Sequence, residues 1–129
     1  MAVRIERHGD GHLVRVAGDV TLEVVLDVIE RIESDGPPNA FIVTDIEPDT
    51  TLDLTLDDLH AIARRLRGSS RRPRRNAIIH PVGAGLGPIL EDFRTMVSTL
   101  SDSWTAGPLE VETFRDRDDA IRWASDALE

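Results

Sequence analysis

The first residues of the chain alternate between apolar and polar side chains. Two runs, over residues 3–8 and 12–17, carry apolar residues two positions apart, and Gly9-Asp10-Gly11 separates them. A period of two is typical of strands with one buried face, and turns of glycine and aspartate connect such strands directly. The pattern predicts a β-hairpin that opens the fold.

From residue 22 onward the apolar spacing changes to intervals of three and four, the period of a helix with one buried face. This first helix ends at Gly36-Pro37-Pro38, where glycine and proline stop it. Val24 and Val28 fall outside its main stripe. The stripe consists of Leu22, Val25, Leu26, Ile29 and Ile32.

Three further helices are predicted on the same grounds. The second is capped by Thr55, with Asp58 three residues later, and ends near Gly68. The third starts at Pro88, because proline suits a first helical position, and the fourth follows the cap residue Asp116.

Three apolar stretches separate these helices: AFIVTDI, NAIIH and residues 109–114. The first two are nearly continuous apolar runs, typical of parallel strands buried on both faces. Strands that alternate with helices imply right-handed crossovers, with the first hairpin strand antiparallel at an edge. We predict one α/β domain over residues 1–129, with four helices and a mixed, mostly parallel sheet of about five strands opened by the hairpin. The predicted core residues are Phe41, Ile42, Val43, Ile78 and Ile79.

Composition excludes several kinds of site. The 129 residues include no Cys, and all fifteen basic residues are Arg. Without Cys there is no disulfide, zinc–thiolate site or cysteine nucleophile, and without Lys there is no Schiff base or phosphate-loop lysine. The N-terminus lacks an apolar signal core, and no stretch reaches the roughly 20 apolar residues of a membrane span. We expect a cytoplasmic protein with no transmembrane segment.

The charge is acidic overall and uneven along the chain. A net charge of −9 argues against nucleic-acid binding, which depends on neutralising phosphates. Seven of the fifteen Arg lie within residues 64–75, a stretch without acids. Arginine recognises carboxylate and phosphate in bidentate fashion, so this cluster is a candidate surface for an acidic partner; the alternative is a solvated helix end that complements the helix dipole. The candidate partner-binding residues are Arg64, Arg67, Arg71 and Arg72.

Four segments carry a family resemblance. They are the opening hairpin VRIERHGDGHLVRVAG, the strands AFIVTDI and RRNAIIH, and the ending VETFRDRDDAIRWASDAL, which has an Ala-x-x-Trp pattern at Ala120 and Trp123. In order and length the chain resembles the STAS superfamily, and within it the SpoIIAA-like (STAS/SEC14-like) proteins. The resemblance spans nearly the whole chain. It implies a small non-enzymatic module, often dimeric, that binds proteins or apolar and anionic small molecules.

Anti-sigma-factor antagonists of this superfamily place a phosphorylatable Ser at the start of the helix after the central strand. The corresponding stretch here, IEPDTTLDLTLDDL, has no Ser, and its hydroxyls are Thr50, Thr51 and Thr55. As an N-cap Thr55 is already engaged, and neighbouring carboxylates would repel a phosphate on either Thr51 or Thr55. A phospho-switch at Thr51 or Thr55 is therefore an alternative function, and we predict that this loop is not controlled by phosphorylation.

The segment HPVGAGLGP, between a strand and the third helix, is the strongest local candidate for a ligand site. Glycines permit close approach to a ligand, and free N–H groups at a helix start favour an anion. The segment does not match the dinucleotide fingerprint G-x-G-x-x-G. It either binds an anionic headgroup or an acid-ended fatty chain, or simply connects strand and helix. The candidate ligand-binding residues are Gly83, Gly85, Gly87 and Ile89.

Two further groups of residues were candidates for metal chemistry. His8 and His12 could face each other across the hairpin beside Asp10, although exposed polar hairpin residues are the simpler interpretation. Acids also follow the central strand, at the end where open α/β sheets bind ligands, so metal-assisted phosphoryl transfer is a further alternative. No phosphate-binding fingerprint accompanies them. These acids are Asp45, Glu47, Asp49, Asp53, Asp57 and Asp58.

No nucleophile–base pair, metal-ligand set or nucleotide fingerprint can be assembled from these residues. We therefore predict a non-enzymatic, cytoplasmic binding or regulatory module with no catalytic residues, no metal and no cofactor. Its partner is a protein or a small anionic or lipid-like ligand. We also expect self-association, as a homodimer, through an exposed helix face that includes Val24 and Val28 or through the sheet edge.

Overall fold

The computed structural model describes residues 2–68, 73–81, 85–101, 104 and 109–126. Within these ranges the chain forms seven strands and four helices. The strands are β1 (Ala2–His8), β2 (Gly11–Ala17), β3 (Asp19–Val20), β4 (Phe41–Ile46), β5 (Thr51–Leu52), β6 (Arg75–Ile79) and β7 (Glu110–Phe114). The helices are α1 (Leu22–Asp35), α2 (Leu56–Arg67), α3 (Gly87–Ser101) and α4 (Arg117–Ser125).

The main sheet has five strands in the order β1-β2-β4-β6-β7. The hairpin strand β1 is antiparallel to β2 at one edge, and every other pair in this sheet is parallel. Gly9, in the hairpin turn, has a φ of +58°, which a two-residue turn of this kind demands. The predicted α/β class, mixed sheet, opening hairpin and four helices are confirmed. The pairing of the two-residue strands β3 and β5 was not predicted.

The two faces of the main sheet carry separate apolar clusters. Successive residues of β4 alternate between them: Ile42 belongs to the cluster beneath α1, α2 and α3, whereas Phe41 and Val43 belong to the cluster beneath α4. All five predicted core residues are buried. The sheet is therefore the middle layer of a three-layer domain, with three helices on one face and one on the other.

The helix starts follow the local chemistry of the sequence. The Thr55 hydroxyl accepts a hydrogen bond from the backbone N–H of Asp58 at 3.1 Å, and the Asp58 carboxylate accepts one from the N–H of Thr55 at 2.9 Å. This capping box confirms Thr55 as the N-cap of α2. Asp116 likewise caps α4, as predicted.

Helix α1 is rotated relative to its predicted orientation. Val24 and Val28 pack against the apolar cluster, whereas Leu26 is not part of it. The buried side of the helix is centred on Ile32, its one fully buried residue. The prediction that Val24 and Val28 lie on an outer face was wrong. A helix this rich in apolar residues has more than one possible buried stripe, and the one that includes these valines faces the core.

Candidate functional site

An apolar cavity of about 150 Å³ lies between the main sheet and helices α1, α2 and α3. Strands β2, β4 and β6 form its floor, α1 and α2 contribute most of its walls, and α3 contributes Ile89, Leu90 and Phe93. The described lining residues are Val14, Val16, Val20, Val24, Val25, Val28, Ile29, Ile32, Ile42, Thr44, Ile46, Leu52, Leu54, Leu59, Ile62, Leu66, Pro73, Asn76, Ile78, Ile89, Leu90, Phe93 and Leu109.

The cavity results from how α1 is built. Its inner side presents Val24, Val25 and Val28, whose short, branched side chains line the cavity. These three valines and Ile29 are only half-buried although they pack against the core. Their partial exposure agrees with the open space that they border, because close-packed interiors leave few spaces larger than a water molecule.

Two polar side chains interrupt the apolar floor of the cavity. Thr44 of β4 and Asn76 of β6 both line it, and both are half-buried. The Thr44 hydroxyl donates a hydrogen bond to Oδ1 of Asn76 at 3.3 Å. The β4–β6 register pairs Ile42 with Asn76 and Thr44 with Ile78, so the two polar groups are diagonal neighbours surrounded by isoleucines.

None of the described residues that line the cavity carries a charge. An ionised group transferred into such surroundings would lose its hydration without gaining an opposite charge, which is strongly unfavourable. The cavity therefore suits a small, uncharged, mostly apolar molecule. Its size is comparable to that of apolar cavities that bind a single benzene ring.

The predicted glycine-rich ligand site is only partly associated with this cavity. Ile89 lines the cavity, whereas Gly85 and Gly87 are exposed and are not among its lining residues. Gly83 lies outside the described residues. The binding of an anion at this turn stays a prediction.

The arginine cluster is divided between two environments. Arg64 and Arg67 are exposed in the last turn of α2, whereas Arg65 forms a two-pronged ion pair with Glu33 of α1, in which one N–O distance is 3.3 Å. Arg65 thus joins α2 to α1 instead of facing a partner. Arg71 and Arg72 lie outside the described residues, and partner binding by this cluster stays a prediction.

The threonines of the proposed phospho-switch are placed differently from one another. Thr50 is buried and its hydroxyl donates to the carbonyl of Val16 at 3.2 Å, and Thr55 is engaged in the capping box. Thr51 is exposed in β5. These positions agree with the expectation that Thr55 is occupied as a cap, and phosphorylation itself stays untested.

The two hairpin histidines do not face each other. His8 is opposite Gly11 in the hairpin register and His12 is opposite Arg7, so their side chains leave opposite faces of the sheet. His8 is exposed and meets the edge of Phe41, whereas His12 is completely buried. The suggestion of a paired-histidine ligand set is therefore wrong. So is the simpler interpretation of His12 as an exposed polar residue.

His12 is buried within a polar network that the sequence did not reveal. Its Nδ1 lies 3.0 Å from Oδ1 of Asn39 and its Nε2 lies 2.9 Å from Oδ2 of Asp35. Arg7 donates to the same Asp35 oxygen at 2.7 Å and to the carbonyl of Pro38. The hydrogen bonds from His12 and then from Arg7 hold the pKa of the Asp35 carboxyl below its usual value. The network fastens the end of α1 to the hairpin.

The acids after the central strand do not converge on one point. Asp45 and Glu47 both approach Arg15, at 3.7 and 3.2 Å, while Asp58 is committed to the capping box of α2. Across the described part of the chain, no group of three acidic or histidine side chains is placed to hold a metal ion.

Two other hollows are polar. A depression of about 510 Å³ between α3 and β7 includes Arg94, Ser98 and Glu112, and one of about 290 Å³ beside the hairpin includes Arg7 and Asp35. Water fills polar hollows without loss of stability, whereas an apolar cavity left empty destabilises the fold. The apolar cavity is therefore the feature that requires an explanation.

None of the helices in the described ranges is long and apolar enough to cross a membrane. Neither a family model nor a curated protein matches the sequence. Among solved structures, the chain is similar to an uncharacterised protein of the DUF3478 family with a SpoIIAA-like fold, from Shewanella loihica PV-4. The two are 21% identical over 95% of this chain and 92% of that one, with a TM-score of 0.52. This likeness and the observed topology agree with the resemblance found in the sequence: the chain has a SpoIIAA-like α/β fold.

Proposed function

We propose that this chain is a non-enzymatic cytoplasmic module that binds a small, uncharged, lipid-like molecule in the apolar cavity between the sheet and helices α1, α2 and α3. The observation that carries the proposal is the cavity itself, at about 150 Å³ and with no charged side chain among its described lining residues.

The partly exposed apolar lining of the cavity supports a ligand. Val24, Val28 and Ile29 line it and are only half-buried. A ligand that covers such side chains gains about 25 cal/mol per Å² of apolar surface removed from water. Binding then stabilises the folded state by mass action.

The remaining chemistry favours binding over catalysis. The described histidine best placed beside a carboxylate, His12, is fully buried and has both ring nitrogens engaged, so a substrate could not reach it. Of the acids that could assist phosphoryl transfer, Asp45 and Glu47 pair with Arg15, and Asp58 belongs to the capping box of α2. General acid–base or nucleophilic catalysis needs groups within hydrogen-bond reach of a bound substrate.

The first test is native mass spectrometry of protein purified from its host, followed by titration of the ligand-free protein with toluene. We expect a retained neutral molecule, or saturable toluene binding that raises the melting temperature. As a control, Val28→Leu fills part of the cavity and should weaken toluene binding severalfold.

Two outcomes would contradict the proposal. One is wild-type protein that retains no adduct and does not bind toluene, which would leave protein partners as the surviving hypothesis. The other is an anionic adduct that is retained equally by wild type and Val28→Leu, which would place the ligand outside the cavity, for example at the glycine-rich turn.

A further inference from the structure

Asn76 is an unexpected residue at its position. It lies on β6, a central strand of the sheet, and its side chain lines the cavity between Ile42 on the neighbouring strand and Ile78 two residues on. Asparagine is depleted in strands, and an apolar site gives its amide little to bond with. A residue that breaks local preferences in an otherwise consistent core is expected at a functional position.

The hydrogen bonds of Asn76 are incomplete. Its amide has two N–H donors and one acceptor oxygen, and among the described residues Thr44 is its only side-chain hydrogen-bond partner. The Thr44 hydroxyl donates to Oδ1 and so holds the oxygen end of the amide. In either orientation of the amide, at least one N–H has no acceptor among the described residues, and it lies on the half-buried floor of the apolar cavity.

We infer that this N–H is the polar recognition point for the ligand, which is therefore a small apolar molecule with one neutral hydrogen-bond acceptor, such as a ketone, ester or amide carbonyl. The inference rests on the proposed function and specifies its ligand class. A carboxylate does not fit, because no cation is present among the described lining residues. A pure hydrocarbon would cover this half-buried donor without bonding to it, which is unfavourable.

The test compares two compounds of nearly equal shape. Acetophenone carries a carbonyl where α-methylstyrene carries a methylene group. The quantity measured is the ratio of their two dissociation constants, determined for each protein variant. The two compounds differ in hydration, but that difference is the same in every titration, so it cancels when the ratios of two variants are compared. One hydrogen bond between neutral groups corresponds to a change in affinity of about five- to tenfold. Asn76→Val should therefore weaken the binding of acetophenone relative to that of α-methylstyrene by this factor.

Ile42→Val is the matched control. It removes one methylene group from the residue paired with Asn76 and leaves the polarity of the cavity unchanged. Both affinities should change together, with the ratio constant. A ratio that moves equally in Ile42→Val and Asn76→Val would overturn the inference.

A second measurement needs no variant. The carbonyl stretching frequency of acetophenone bound to the wild-type protein should fall below its value in hexane, because a hydrogen bond weakens the C=O bond. Binding with an unshifted carbonyl band would overturn the inference while leaving the proposed function intact. Failure of both compounds to bind the wild-type protein would overturn the proposed function, and the inference with it.

Discussion

The two faces of the main sheet differ in how closely their side chains are packed. Beneath α4, the side chains of Phe41, Val43, Ala77, Ala120 and Ala124 are at most 1% exposed. Beneath α1, α2 and α3, a cavity of about 150 Å³ separates the sheet from α1. The same strand, β4, serves both faces through alternate residues. The difference teaches that close packing is reached on the α4 face, whereas the opposite face leaves open the space in which we propose that a ligand binds.

The cause of the difference lies in the residues that each helix turns toward the sheet. Helix α4 presents Ala120 and Ala124, whose small side chains let the helix approach the sheet closely and leave no gap. Trp123 completes this face by packing on Phe114, with ring centroids 5.6 Å apart, and beneath the guanidinium of Arg75. Helix α1 presents branched valines, which line the cavity and stay half-buried.

The largest expected effect comes from removing an aromatic ring on each face. Phe41→Ala should destabilise the protein by about 5 kcal/mol, because its ring is enclosed on all sides, while Phe93→Ala should cost about 3 kcal/mol, because Phe93 already borders the cavity and has fewer contacts to lose. Urea unfolding of the two variants measures the difference. Equal losses would show that the two faces are packed equally well.

Enlarging one helical residue on each face should give effects of opposite sign. Ala120→Leu forces extra volume into a closed interface and should cost about 2–3 kcal/mol. Val28→Leu extends into the cavity and should stabilise the ligand-free protein by about 1 kcal/mol. Thermal unfolding of both variants without ligand checks the signs. Destabilisation by Val28→Leu would mean that the cavity cannot accept added volume.

Adding a single methyl group at Gly11 tests how closely the α4 face is packed, with a smaller expected loss of stability. A Cβ at Gly11 would lie 2.5 Å from the ring of Phe41, so Gly11→Ala should cost about 2 kcal/mol. Gly87→Ala, at the start of α3, is the matched control, since a Cβ there meets nothing within 4 Å and restricts only the unfolded chain. Its expected effect is a stabilisation of about 0.5 kcal/mol. Chemical denaturation of both variants distinguishes a steric clash from a general effect of replacing glycine.

The elements of the fold could be predicted because each has a clear period or end signal. The hairpin has a period of two, and α2 and α4 have capping residues that the structure confirms at Thr55 and Asp116. Strands β3 and β5 were missed because two residues show no period. The rotation of α1 was missed because seven of its fourteen residues are apolar, so the sequence allows more than one buried stripe.

The candidate site was harder to predict for a physical reason. A cavity is set by the distance between helix and sheet, and no spacing along the chain encodes that distance. The pairing of Thr44 with Asn76 depends on the register between β4 and β6, which sequence patterns do not fix. One signal was available: the polar Asn76 precedes a run of apolar residues within a strand predicted to be buried on both faces.

The smallest expected effect concerns how each face holds its helix. Helix α4 is held by packing and by a hydrogen bond of 2.6 Å from the Arg75 guanidinium to the carbonyl of Trp123. The end of α1 is held by the carboxylate of Asp35, which lies 2.9 Å from Nε2 of His12 and 2.7 Å from Arg7. The pKa of Asp35 is lowered in the folded state, first by the hydrogen bond from His12 and then by that from Arg7. Its contribution to stability is therefore present above the unfolded pKa of roughly 4 and is lost as the pH falls through the lower folded pKa.

We expect amide hydrogen exchange in α1 to accelerate relative to that in α4 as the pH falls below about 4, after correction for the intrinsic pH dependence of exchange. Asp35→Asn should show faster exchange in α1 at neutral pH and a smaller further increase on acidification. Asp27→Asn is the control, because that carboxyl pairs with Arg31 one turn along the same helix and fastens nothing to the sheet. If α1 and α4 lose protection together in every variant, the contacts of Asp35 at the end of α1 do not hold the looser face.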